Sequence, residues 1–253
     1  MVRVLRFLAL LLLGVIFLAC NSLSHAQNPV GLDTPSDACL TFKKGLSLGV
    51  PLVNVKAKLR TGQRLTIVVL GSSSTTGFGT FRSDAAFPTV MREELLRLRP
   101  SARIELINSG RVMETITGNI ARIDYDVLRN KPDLVVWQLG TNEAVWRGIP
   151  NNTKRLVSDA VRQLKAVHSD VILVDLQYAP LVLATTRHIE MEKIITDVAR
   201  EQNVAVFPRF LLMKRAIDAD VKGLVWWDGL HNSAEGHRCI GIALAQMIDA
   251  AAR

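Results

Sequence analysis

Five short apolar runs rich in β-branched residues alternate with segments of helical period, and few folds accept that pattern. LTIVVL stops before Gly71, RIELIN ends at Asn108, DLVVWQLG at Gly140, DVILVDLQ at Gln177 and VAVFP at Pro208. Continuous runs of this kind suit strands covered on both faces. Between them lie helical stripes. Pro88 suits a first turn, followed by Met91, Leu95 and Leu98 on one face. Leu156, Ala160, Leu164 and Val167 repeat the spacing, as do Ile194, Ile195 and Val198, and finally Ile240, Ala243, Leu244, Met247 and Ile248. The alternation predicts an α/β protein, a three-layer α/β/α sandwich with a central parallel sheet of about five strands and a flavodoxin-like arrangement.

In such a sheet, chemistry gathers beyond the carboxyl ends of the strands. Four loops share that rim: residues 71–77, 108–115, 140–143 and 177–180. The first reads GSSSTTG, a cluster of hydroxyls where a plain turn needs none. A serine becomes a nucleophile only when a base takes its proton, and acyl transfer also needs donors for the oxyanion. Ser73, in a strand-to-helix turn, is the candidate nucleophile, and Asn142 in GTNE offers a side-chain amide. Asp228 and His231 in WWDGLHNSAEGH are spaced so that a short loop can hold the carboxylate against one imidazole nitrogen and leave the other facing the serine.

Taken together, these pieces resemble the SGNH (GDSL-type) hydrolase superfamily from about residue 65 to the last helix. Gly71, Ser72, Ser73 and Gly77 match its Gly-Asp-Ser-x-x-x-Gly block. Gly140, Thr141 and Asn142 match Gly-x-Asn-Asp, with Glu143 replacing the aspartate, and Asp228 and His231 match Asp-x-x-His. The resemblance implies Ser73 as nucleophile, His231 as base and Asp228 as its orienting partner. It also implies an oxyanion hole from the N–H groups of Ser73 and Met113 and the Asn142 amide.

Two departures stand out. Ser72 replaces an aspartate, and NSGRVMET places Met113 where family members commonly carry a glycine. Methionine there narrows the acyl pocket, or alters the turn if the glycine required positive φ. The implied activity is serine esterase chemistry on short-chain or O-acetyl esters through an acyl-enzyme, with acyl transfer to an envelope polysaccharide as the alternative. Two readings from other classes remain: an FMN-binding flavodoxin-like protein using the SSSTTG loop, and a polysaccharide-binding protein with a decayed site.

The first 26 residues read as an export signal. Arg3 and Arg6 precede an uncharged apolar core over residues 7–19, and Ser24, His25 and Ala26 form a small-x-small site. Lipid anchoring at Cys20 fits less well. Removing 26 of 253 residues leaves 227, enough for one α/β domain. Residues 27–62, with Pro29, Pro35 and Pro51, are expected to form an arm, partly ordered over residues 46–55, ahead of a hydrolase domain at 63–253.

The signal carries two arginines and no acids, so the net charge of +8 becomes +6. A basic charge admits either contact with anionic envelope polysaccharide or plain solubility, and the resemblance together with export implies a small-molecule or carbohydrate ester substrate. The cations are scattered, which argues against nucleic acid, and no stable membrane insertion is expected once the signal is gone. Cys39 and Cys239 then remain, expected to bridge in an oxidising compartment, with two buried thiols as the alternative.

No cofactor or metal is expected, because no ligand cluster completes a set around His231 and His237. Trp146 and Tyr178 are candidate substrate-binding residues, with Pro180 beside them and Trp226 and Trp227 weaker candidates. His168 and His237 are expected in surface or capping roles, and Glu114 and Glu143 in loop hydrogen bonds.

Overall fold

The structure, a computed structural model, describes Cys39, residues 47–80 and residues 82–253. The expected signal segment and most of the expected arm lie outside the described residues. Five parallel strands form one sheet: β1 (Arg64–Gly71), β2 (Arg103–Gly110), β3 (Leu134–Gln138), β4 (Asp170–Val174) and β5 (Ala205–Phe207). Their spatial order is β2-β1-β3-β4-β5. All five expected strands are present. From β1 the chain moves outward to β2, then returns to the other side of β1 for β3. The crevice beyond the ends of β1 and β3 is therefore the switch point where such sheets build sites.

The period-2 alternation of β1 divides its side chains between two cores. Leu65, Ile67 and Val69 pack with α3 (Phe87–Leu98) and α10 (Ala234–Ala251). Val68 and Leu70 face α4 (Ile116–Ala121), α6 (Thr153–Ala166) and α8 (Arg187–Gln202). The remaining helices are α1 (Val53–Thr61), α2 (Ser73–Thr76), α5 (Ile123–Asp126), α7 (Pro180–Leu183) and α9 (Arg209–Asp218). The result is the three-layer α/β/α sandwich.

Gly241 on α10 lies so close to α3 that a Cβ would stand 2.7 Å from Val90 Cβ and 2.8 Å from the Phe87 carbonyl oxygen. A side chain there would push the two helices apart.

Two local expectations change. Residues 53–61, read as the end of an arm, are the regular helix α1. Leu52 and Val55 sit in the first core, and Asp170 Oδ2 accepts the N–H groups of Asn54 and Val55 at 2.9 and 3.0 Å. That distant carboxylate caps a helix whose own N-cap residue, Leu52, has no acceptor to offer. On α6 the buried stripe is Val157, Ala160, Val161 and Leu164, whereas Val167 is exposed. The face is rotated because Val157 and Val161 are the residues that reach the second core.

Cys39 and Cys239 form a disulfide, Sγ–Sγ 2.11 Å, fastening residue 39 to α10. Among the described residues, no helix is long and apolar enough to cross a membrane.

Candidate active site

Ser73 is the first residue of α2, immediately beyond β1, where a helix leaves its first N–H groups without internal partners. Its Oγ lies 2.8 Å from His231 Nε2, and His231 Nδ1 lies 2.6 Å from Asp228 Oδ2. The other carboxylate oxygen, Asp228 Oδ1, accepts the N–H groups of Leu230 at 2.9 Å and His231 at 3.0 Å. Burial pushes the Asp228 carboxyl upward, but the hydrogen bonds from the His231 ring and these two amides together hold it below the ordinary carboxylate range. An ionised Asp228 keeps the proton on Nδ1, so Nε2 presents a lone pair to the serine hydroxyl.

The loop carrying these residues closes a small hairpin. Val225 bridges Asn232, Trp226 N–H donates to His231 O at 2.7 Å, and Gly229 takes φ 72° in the turn. Gln177, buried at the end of β4, spans two loops. Its Nε2 donates to Leu230 O at 3.1 Å, and its Oε1 accepts Thr141 Oγ at 2.9 Å. One amide therefore ties the histidine loop to the residue beside Asn142.

Ser72 uses both its N–H, at 3.0 Å, and its Oγ, at 2.9 Å, to donate to Gln138 Oε1 from β3. Thr75 donates to the same oxygen at 3.3 Å, and Thr76 donates to Ser73 O at 2.8 Å. Ser72 and Thr75 thus fasten the turn to β3, and Thr76 fastens it to itself.

The 111–114 turn carries Met113 at φ 60°, the left-handed conformation that a glycine at this position would favour. Arg111 N–H donates to Gly71 O at 3.1 Å, and Asn142 Nδ2 donates to Glu114 O at 2.7 Å. The turn is thereby fixed between the end of β1 and the loop after β3. Buried Arg122 reinforces it through Glu114 at 3.0 Å and Gly71 O at 3.2 Å. One Asn142 amide hydrogen is engaged with Glu114 and the second remains to be donated. Among the described residues, no acceptor takes the N–H of Ser73 or Met113.

Glu143 accepts Ile116 N–H at 2.5 Å, and burial raises its carboxyl above the ordinary range. Glu114 pairs with Arg122, so both acids serve loop hydrogen bonds as expected. His168 lies exposed just beyond α6, at φ 60°, in the surface role expected.

Two sequence expectations meet a different arrangement. Tyr178, expected at the substrate, packs edge-on against Phe210 at 5.2 Å, with Lys214 Nζ 5.9 Å over its ring. The first core claims it because the chain after β4 turns toward α9. His237, expected at the surface or as a cap, is fully buried: Nδ1 accepts the N–H of Phe87, the first residue of α3, at 3.2 Å and Nε2 donates to Phe78 O at 3.4 Å. Trp146 is half exposed, on the π-type turn of Glu143–Arg147 that follows Asn142.

The residue that sequence reasoning missed is Phe78. Its ring lies 4.5 Å from that of His231, with Trp226 edge-on at 6.0 Å. It reaches there because Gly79 adopts φ 97°, where a Cβ would meet Asn232 O at 2.6 Å. The two glycines flanking Phe78 were the available signal.

A parallel α/β/α sandwich with these residues at its switch point defines an SGNH-type hydrolase, an enzyme of carboxylic ester bonds. Within that class, the chain belongs to the non-GDSL lipase-like family, whose sequence model matches residues 38–253. It is 25% identical over 167 residues to esterase TesA of Pseudomonas aeruginosa, covering 66% of this chain and 79% of that protein. The lipase/acylhydrolase from Enterococcus faecalis superposes with a TM-score of 0.62 at 26% identity, covering 74% of this chain and 96% of that one. A two-domain esterase active on acetylated mannans gives 0.66 at 18% identity, with 80% of this chain matched to 54% of that protein.

Proposed function

We propose that the chain is an exported serine esterase that hydrolyses short-chain or O-acetyl esters through an acyl-enzyme on Ser73. The single observation that carries this reading is the hydrogen-bonded line from Ser73 Oγ through His231 to Asp228. Ser73 Oγ attacks the ester carbonyl as its proton passes to His231 Nε2, and Asp228 stabilises the imidazolium. The tetrahedral oxyanion is received by the N–H groups of Ser73 and Met113 and the second amide hydrogen of Asn142. On collapse, His231 returns the proton to the departing alkoxide, releasing the alcohol and leaving acyl-Ser73. Water then attacks, giving its proton to His231, and the carboxylic acid leaves as Ser73 regains its hydrogen.

Acetylated mannans are the substrate of one fold relative, and an O-acetyl carbohydrate suits this site as a small acyl group on a bulky alcohol. The charged start followed by an apolar core, together with a Cys39–Cys239 bridge, supports export.

Acetate release from 4-nitrophenyl acetate tests the reading. Ser73→Ala and His231→Ala should each lower kcat by a thousandfold or more, about the scale of triad removal. Asn142→Ala should cost roughly 10²–10³ in kcat, the usual value of one oxyanion donor. Turnover by Ser73→Ala at the wild-type rate would overturn the assignment.

A further inference from the structure

Three aromatic rings run outward from the histidine of the site. Phe78 lies against His231 at 4.5 Å, Trp226 meets Phe78 edge-on at 6.0 Å, and Trp227 is tilted on Trp226 at 4.6 Å. Phe78 is 39% exposed, Trp226 in the middle of the row is half-buried, and Trp227, at the outer end, is 82% exposed. Packing accounts for the inner rings but not for Trp227, whose indole is presented to solvent by the Gly229 turn. An exposed aromatic patch on the rim of a site is a binding feature more often than an accident.

We infer that Phe78, Trp226 and Trp227 form the subsite for the alcohol half of the substrate, and that this alcohol is a pyranose ring. The inference rests on the esterase reading above for the direction of the reaction. His231 Nε2 must hand its proton to the departing alkoxide oxygen, so that oxygen lies at the imidazole when the C–O bond breaks. The alcohol skeleton then extends past the imidazole, along the side where the three rings lie. A pyranose has an apolar C–H face that stacks on indole while its hydroxyls stay hydrated, which suits an open ridge covering one side only. An aliphatic chain would gain more from an enclosed groove, because a ridge removes only half its surface from water.

The test uses the full chain and two ester sets: peracetylated methyl glucoside, xyloside and mannoside, and the ring-free ethyl and butyl acetates. Trp227→Ala should lower kcat/KM about tenfold on the sugar esters, mainly through KM, and leave the alkyl acetates unchanged. Trp227→Phe should restore most of the loss, and the unchanged alkyl-acetate turnover of Trp227→Ala separates this from a folding defect.

Binding of the same glycosides to Ser73→Ala, followed by calorimetry, reads the ridge without turnover and should weaken by the same factor when Trp227→Ala is added. Equal kinetics of wild type and Trp227→Ala on both sets would overturn the ridge and leave the esterase reading standing. Wild-type protein that cleaves neither set, with binding still dependent on Trp227, would overturn the esterase reading and leave the ridge. A wild-type dimer made monomeric by Trp227→Ala, with the sugar-to-alkyl ratio unchanged, would assign the ridge to a second copy and end the proposal.

Discussion

Met113 holds a left-handed backbone that costs a residue with a Cβ about 1–2 kcal/mol. In the proposed mechanism its N–H receives the oxyanion, so the strain would support geometry that a glycine adopts freely. Met113→Gly should keep kcat on acetyl esters within a few-fold and improve turnover of longer acyl chains. A hundredfold drop in acetyl turnover would mean that the side chain, not the amide, matters.

His237 carries a second residue-scale consequence. Burial pushes its pKa from 6.5 down to about 4, with Arg209 and His231 opposing the charge further and the Phe78 carbonyl favouring it. Between these values the unfolded chain binds a proton that the native state refuses. Stability is therefore complete above about pH 6.5 and falls as the pH drops toward 4, by on the order of 3 kcal/mol. Urea midpoints across that window should show the decline, and His237→Gln, able to keep both hydrogen bonds, should flatten it. Parallel curves for the two proteins would contradict this. Ser73, Asp228 and His231, joined in one hydrogen-bonded line, were legible because motif spacing carries their chemistry. His237 was not: an imidazole one turn into a helix looks alike whether the helix end is buried or bare.

At the scale of elements, the site is an agreement among loops, and Gln177 connects two of them. Replacing it with leucine leaves Leu230 O and the Thr141 hydroxyl without that partner in a buried place, a cost of about 1–3 kcal/mol. Gln177→Leu should also lower kcat more than it raises KM, because the histidine loop and the Asn142 loop lose their common tie. Unchanged kcat in a folded variant would show that the loops hold themselves. Such ties are invisible in sequence because Gln138 and Gln177 bond to groups in loops far along the chain, and no spacing rule encodes those pairings. The strands were readable from continuous β-branched runs. The face of α6 was misplaced by one position because Leu156 and Val157 are both apolar, and only the neighbouring layer selects between them. The helix at 53–61 was missed because its cap, Asp170, lies 116 residues from Asn54.

Across the whole molecule, the sheet order brings the end of β1 beside the end of β3, and α10 delivers the hairpin with Asp228 and His231 to the same crevice. The Cys39–Cys239 bridge spans 200 residues, and loop-closure entropy gives it a stabilising effect of about 2–5 kcal/mol. Cys39→Ser should lower the melting temperature while leaving kcat on small esters intact at 25 °C, since neither sulfur touches the triad. The most direct test of the account is peptide mapping by mass spectrometry after treatment with a fluorophosphonate, which traps an activated serine. The account predicts one adduct, on Ser73, abolished by Ser73→Ala and slowed at least a hundredfold by His231→Ala. An adduct on another residue, or labelling of Ser73 that ignores His231, would contradict it.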